Sequence, residues 1–357
     1  MKTYLKFISY IFLKSFFFVF FIFFSLVFIL NLLNEIEFLK NISVQNYTAL
    51  YLSILNTPSL IFEMLPFVIL LSTQVFFIRL FEHNEIQIFK YSGLKNTKLI
   101  LIISLITFIL SILIIIIYYN FSANLKKIYL EFKNQYTSDE KYLAVVTKNG
   151  LWIKDIIDGK TNLINASKIK NNFLIDVSIT QFDKKFNPTK TILSEKVDIS
   201  TENWIIINPK NIYGGFNDSN ELSNFKSNFD YKRIQNLFSD LSSLTLLGLA
   251  ELRENYINLN YSTLEIDAHI QKIISYPIYL TLMTILSSIL MFNSKRLINN
   301  TIKIATGLFF CVIIYYFNNL FYIMGITEKI YLEVAIWIPL LLLFCTNLVM
   351  FHKINEK

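Results

Sequence analysis

Residues 16–33 read FFFVFFIFFSLVFILNLL, an apolar run that carries no charge. An α-helix needs about 20 such residues to cross the hydrocarbon core of a bilayer, so the run is read as a membrane span. Extending it to its polar flanks gives a span over about 11–33. The same reading yields five more, over about 59–81, 98–119, 273–292, 304–324 and 331–351. The second is the least clean, because Glu63 and Pro66 sit near its start. Proline is tolerated there if a neighbouring group satisfies the carbonyl it frees. The first run has no small-residue cleavage signal and is expected to stay in the membrane rather than be removed.

The 357 residues are 54% hydrophobic with a net charge of +7. Mean hydropathy is +0.47. Nucleic acid is not needed to account for the excess of positive charge, because much of it lies in short loops beside the spans. One side collects Lys2, Lys6, Lys14, Arg79, Lys90, Lys95, Lys98, Lys295, Arg296, Lys303, Lys353 and Lys357, against only Lys40 and Lys329 on the other. The positive-inside rule then predicts cytoplasmic termini and an external segment between spans three and four. Cys311 and Cys345 both fall in predicted spans and offer no disulfide framework for that segment.

The segment over about 120–272 is of mixed polarity, and from about Tyr136 to Phe229 its pattern shifts toward period two. Ile175, Val177 and Ile179 alternate with Asp176, Ser178 and Thr180, as in a half-buried strand. Asn149-Gly150 and Asp158-Gly159 separate apolar runs at 142–148 and 151–157 and beyond, and are hairpin signals because both turn residues take positive φ. Further runs at 191–193, 197–199 and 204–207 complete the expectation of an all-β, jelly-roll-like domain. Leu249, Leu252, Tyr256 and Leu259 then recur at helical spacing. The expected fold class is a six-helix membrane protein with an inserted periplasmic all-β domain. Its parts are spans one to three at 1–119, a β domain at 120–245, an amphipathic helical segment at 246–272 and spans four to six at 273–357.

No phosphate-binding G-x-x-x-x-G-K-[ST] loop is present, so ATP binding through a P-loop of this chain's own is excluded. His83, His269 and His352 lack companions at ligand spacing, and no nucleophile–base set emerges; no metal, cofactor or enzymatic activity is expected. Glu63 is read as facing an interface or cavity. The loop between spans two and three is distinctive. Over about 82–93 it reads EHNEIQIFKYSG, with Gly93 as a helix stop. Ile86, Ile88, Phe89 and Tyr91 cover much of such a helix, around the carboxylate of Glu85. Docking into a groove on a soluble partner and lying on the lipid surface both suit this pattern.

At this point the chain resembles the lipopolysaccharide export permeases, the LptF/LptG (YjgP/YjgQ) family. The layout of three spans, an outer β domain and three spans is similar. So are Leu65-Pro66, Glu85 followed by Ser92-Gly93, the stretch from Asn149 to Asp155 (NGLWIKD), the helix with Leu249, Glu251, Leu252 and Tyr256, then Lys272, Pro277 and Met283, and Trp337 with Pro339. Trp152 favours the G type. The resemblance implies a permease subunit of an ABC-type exporter that extracts lipopolysaccharide and passes it to a periplasmic bridge. It implies a paralogous LptF-type subunit, an LptB-type ATPase dimer and LptC/LptA-type bridge proteins as partners. Glu85, Ile86, Phe89 and Gly93 are the expected coupling residues. Where some G subunits carry lysines facing the lipid phosphates, this chain has Asn31, Asn34, Glu35 and Glu37, with Lys40 the nearest cation. Lys40, Ile175, Val177 and Ile179 are the expected lipid contacts.

Other classes fit less well. A mechanotransmitting or scaffold subunit of another ABC system would ordinarily have four spans. A sensor would need a cytoplasmic domain that no loop here can hold. Secondary transport would call for interrupted helices and internal repeats.

Overall fold

The computed structural model describes residues 3–40, 47–134, 136, 151–157, 160–170, 172–183, 187–201, 203–213, 216–219, 222–227, 229, 231, 234, 240–258, 262–293 and 299–355. The Asn149-Gly150 and Asp158-Gly159 turns, the 142–148 run and Leu259 lie outside them, as do Lys2, Lys295, Arg296 and Lys357. Among the described residues, six helices are long and apolar enough to cross a membrane. The chain forms two compact units, residues 1–126 with 264–357, and residues 127–263.

In the first unit, α1 (Thr3–Leu39) and α2 (Tyr47–Glu82) are the first two spans. Asn84 at φ +54 turns the chain, a left-handed conformation that asparagine tolerates. A two-turn helix follows, α3 (Glu85–Tyr91). The third span starts as α4 (Asn96–Leu113), passes through a π-helical turn at Ile114–Tyr119 and runs on as α5 (Asn120–Asn134). The last three spans are α7 (Leu264–Asn293), α8 (Asn300–Ile326) and α9 (Leu332–Asn355). Each span expected from the sequence matches one of these helical spans, the sixth starting one residue before its helix. Most extend past the apolar stretch, because a helix has no reason to stop where the hydrocarbon does.

The helices α2 and α7 form the centre. Leu65, Val68, Ile69 and Leu70 of α2 pack with Leu280, Met283 and Leu286 of α7, and Phe16 and Val19 of α1, Cys311 of α8 and Leu340 and Leu343 of α9 join them. Since lipid tails are as apolar as leucine, close packing and interhelical hydrogen bonds must hold such a bundle. Ser287 Oγ donates to the Leu70 carbonyl (2.9 Å), Thr284 Oγ1 to Thr107 Oγ1 (3.1 Å) and Asn347 Nδ2 to the Leu282 carbonyl (3.0 Å). Pro66 cannot donate to the carbonyl of Phe62 four residues before it. The hydroxyl of Tyr276 on α7 donates to that carbonyl instead (2.6 Å). Gly307 lets α8 approach the buried amide of Gln74, where any Cβ would collide, and Gln74 Nε2 donates to the Lys303 carbonyl (2.9 Å).

In the second unit the strands are β1 (Leu151–Ile157), β2 (Lys160–Lys170), β3 (Phe173–Phe182), β4 (Pro188–Asp198), β5 (Asn203–Ile207), β6 (Lys210–Tyr213), β7 (Phe216–Ser219) and β8 (Leu222–Lys226). They make one antiparallel sheet in the order β1-β2-β3-β4-β5-β8, with β6 against β4 and β7 against β6. Pairing of β1 with β2 runs to Ile157↔Lys160, which leaves two residues for the predicted hairpin connection. The run expected at 191–193 and the first two residues of that at 197–199 belong to one strand, β4, which ends at Asp198. The gap between the two runs reflects a reversal of faces. Asp176 has φ +51, and the side-chain alternation flips there without any shift of register. On one side of it Ile153, Ile164, Ile179 and Ile192 form a buried rank; on the other, Leu174, Val197 and Ile206 do. Trp204 is fully buried and its indole N–H donates to the Phe229 carbonyl (2.6 Å). After a 3₁₀ turn at Leu241–Ser243, helix α6 (Leu246–Asn258) buries Leu249 and Leu252.

Candidate functional site

The short helix α3 lies between spans two and three. Its C-terminus closes with the N–H of Leu94 on the Phe89 carbonyl and that of Gly93 on the Lys90 carbonyl (both 2.9 Å). This paired pattern is a Schellman motif, and it needs a left-handed residue after the helix. Gly93 supplies it at φ +78. The hydrophobic contact that accompanies the motif is also present, because Phe89 and Leu94 share one cluster with Ile86, Leu99 and Ile100. The ring of Phe89 further meets that of Phe7 edge-on at 6.2 Å between centroids.

The four residues expected to couple the chain to a partner therefore divide. Ile86 is 5% exposed and, with Phe89, anchors α3 to its own bundle. Gly93 sets the helix end. Glu85 is half-buried, and its Oε2 is buried with no hydrogen-bond partner among the described residues. The apolar groups that α3 offers outward are Ile88, 60% exposed, and Tyr91, 89% exposed. An i, i+3 pair with a hydrophobic residue just past the glycine was the sequence signal that Ile86 and Phe89 face inward.

The expected lipid contacts are also spread. Lys40 is exposed in the turn after α1. The residues standing where lysines were sought are partly used within the bundle. Asn31 Nδ2 donates to the Ser53 carbonyl (3.2 Å) and Asn31 Oδ1 accepts from Asn56 Nδ2 (3.1 Å), while Glu35 is 2% exposed. Asn34 and Glu37 stay exposed. In the sheet Val177 and Ile179 are buried, whereas Ile175 is half-buried because the reversal at Asp176 gives its place on the buried face to Leu174. Ile179 and Ile192 border a small cavity with Gln181, Lys190 and Phe225.

The model of the family described as lipopolysaccharide export system permease LptF/LptG matches residues 7–353. The chain belongs to this family. It is accordingly a multi-pass inner-membrane protein of a lipopolysaccharide export permease family, whose members are transporter membrane subunits. The match spans both F and G types and does not divide them. A comparison with curated proteins gives no match.

Proposed function

We propose that this chain is the permease subunit of an ABC-type lipopolysaccharide exporter, paired with a paralogous permease subunit and driven by a cytoplasmic ATPase dimer that docks on α3. Both termini and α3 lie in the cytoplasm and the β unit in the periplasm, where it passes lipid toward a bridge of further β domains. Trp152, exposed on β1, favours the G type. Val177 and Ile179 are candidates for an apolar lining of the lipid path, since exposing each methylene of an acyl chain to water costs about 0.8 kcal/mol.

The observation that carries this reading is the outward pair Ile88 and Tyr91 on a helix fixed by its Schellman motif. Large apolar side chains at one-turn spacing suit a hydrophobic groove on a soluble partner. Glu85, half-buried beside them, has a carboxylate oxygen with no hydrogen-bond partner among the described residues. Substituting both Ile88→Ser and Tyr91→Ser should lower recovery of the ATPase with the membrane subunits at least about ten-fold, as hot-spot losses of 2 kcal/mol or more predict. The permease itself should melt unchanged, because neither side chain is packed. Full recovery of the ATPase and undiminished lipid export in that variant would defeat the docking role. Thiol labelling of intact spheroplasts tests the orientation: sites in β3 should react, and sites at 82–98 should not.

A further inference from the structure

The span α8 combines two properties that oppose each other in lipid. Its most apolar stretch has the lowest hydropathy of the six spans, 1.7, and is also the least buried, at 11%. Tyr316, 67% exposed, and Asn319 stand on its open surface, and Tyr315, Asn318 and Tyr322 are only half-buried. Exposed asparagine in hydrocarbon is costly, and polar groups at membrane depth face a bundle interior or a watered cavity. A second observation falls at the same place. Glu63 on α2 and Lys272 on α7 are both exposed, although each lies within a spanning helix.

The levels of these groups agree. The Phe77–Phe292 and Phe81–Phe292 ring contacts and the Asn300–Glu82 hydrogen bond (2.8 Å) bring one end of α2, α7 and α8 together. Counting from that end, Glu63, Lys272 and Tyr322 each lie about 30 Å along their helices, roughly one hydrocarbon thickness. Phe62 stacks on Tyr276 at 4.9 Å, so Glu63 and Lys272 flank a single contact between α2 and α7. Lys272 Nζ sits over the Tyr322 ring, 5.1 Å from its centroid, and the Tyr315 ring lies against Phe67 at 5.5 Å. Glu63 and Lys272 form no ion pair with each other among the described residues.

We propose that Glu63, Lys272, Tyr315 and Tyr322 form a recognition site for a phosphorylated sugar headgroup at the outer-leaflet level, with Lys272 as the phosphate-positioning residue. This rests on the lipid-export reading. A lysine offers three donors to a phosphate; a carboxylate is acceptor-only and suits a sugar hydroxyl; tyrosines supply flat apolar faces with a polar tip. A plain anion site would not hold an acid beside its cation, whereas a headgroup bearing both phosphates and hydroxyls satisfies both. Lipopolysaccharide has such a headgroup, and the site lies where an outer-leaflet lipid presents it.

The test uses the assembled transporter in proteoliposomes and compares export of lipopolysaccharide with export of the same lipid stripped of its lipid-anchor phosphates. Lys272→Gln should lower export of the phosphorylated lipid about ten-fold, the worth of one charge-assisted contact, and leave the stripped lipid within about two-fold of the unsubstituted protein. Lys272→Arg should restore most of the loss. Equal effects of Lys272→Gln on both lipids, or none on either, would overturn the site. An unsubstituted complex that exports neither lipid would instead overturn the export reading beneath it. Should Lys272→Gln fail to assemble, a photo-crosslinker at Tyr322 replaces it: about ten-fold lower capture of the stripped lipid supports the site, and equal capture overturns it.

Discussion

The centre of the bundle and its edge obey different rules. In α2 61% of the most apolar stretch is buried, and in α7 67%, against 22% in α1 and 11% in α8. Yet the hydropathy of that stretch is 2.0 in α2 and 1.8 in α7, below the 2.8 of α1. In a soluble protein burial and apolarity rise together; here the buried helices are the more polar. The reason is the solvent. Lipid welcomes leucine and phenylalanine at the surface, so the interior is selected for hydroxyls, amides and small residues that bond or allow close approach. Against that rule α8 stands apart, polar and unburied at once.

The largest effect expected from this contrast is at a packed position. Met283→Ala on α7 should destabilise the permease by about 2–5 kcal/mol, the usual range for emptying a core site. Ile313→Ala on α8, where the side chain is 48% exposed, should stay within about 0.5 kcal/mol. Thermal melting in detergent compares them, and similar losses at both sites would break the distinction. Next in size is Gly307→Ala. Its new methyl group meets the Gln74 amide, which is fully buried, and overpacking of that kind costs about 1–3 kcal/mol. Gln74→Ala should relieve much of that cost, so the double variant should melt above the sum of the single losses.

A smaller effect sharpens the account of the polar interior. Tyr276→Phe removes the donor to the Phe62 carbonyl and should cost about 0.6–1.7 kcal/mol. In a Pro66→Ala background residue 66 regains its N–H and can serve that carbonyl, so the same substitution should then cost nearly nothing. An undiminished loss would mean that Tyr276 stabilises by packing on Phe62 alone.

The spans were legible because length and apolarity are imposed by the bilayer, and a run such as 16–33 has no other use. Their ends were not, since hydropathy reports the hydrocarbon region and not where the helical hydrogen bonds stop; α5 continues to Asn134 through polar sequence. Strand β4 shows in the sequence as two runs, because a change of face within a strand leaves the same trace as a gap. The short helix α3 was visible from its position and from Gly93. Its inward and outward sides were not separable, because in two turns every arc holds an apolar residue. The groups at Glu63 and Lys272 were each noticed in the sequence. Only the packing of Phe62 on Tyr276 brings them to one level.

Pro66 gives α2 an uneven stiffness. From Glu82 back to the proline is roughly 24 Å of helix. Along this arm the backbone bonds run uninterrupted, so it tilts as a rod when loaded at its tip. At Phe62 the bond that would carry bending across the break is missing, and one tyrosine hydroxyl from a neighbouring helix takes its place. A displacement applied at the α3 end therefore concentrates its curvature at this joint, and the fulcrum belongs to α7 as much as to α2.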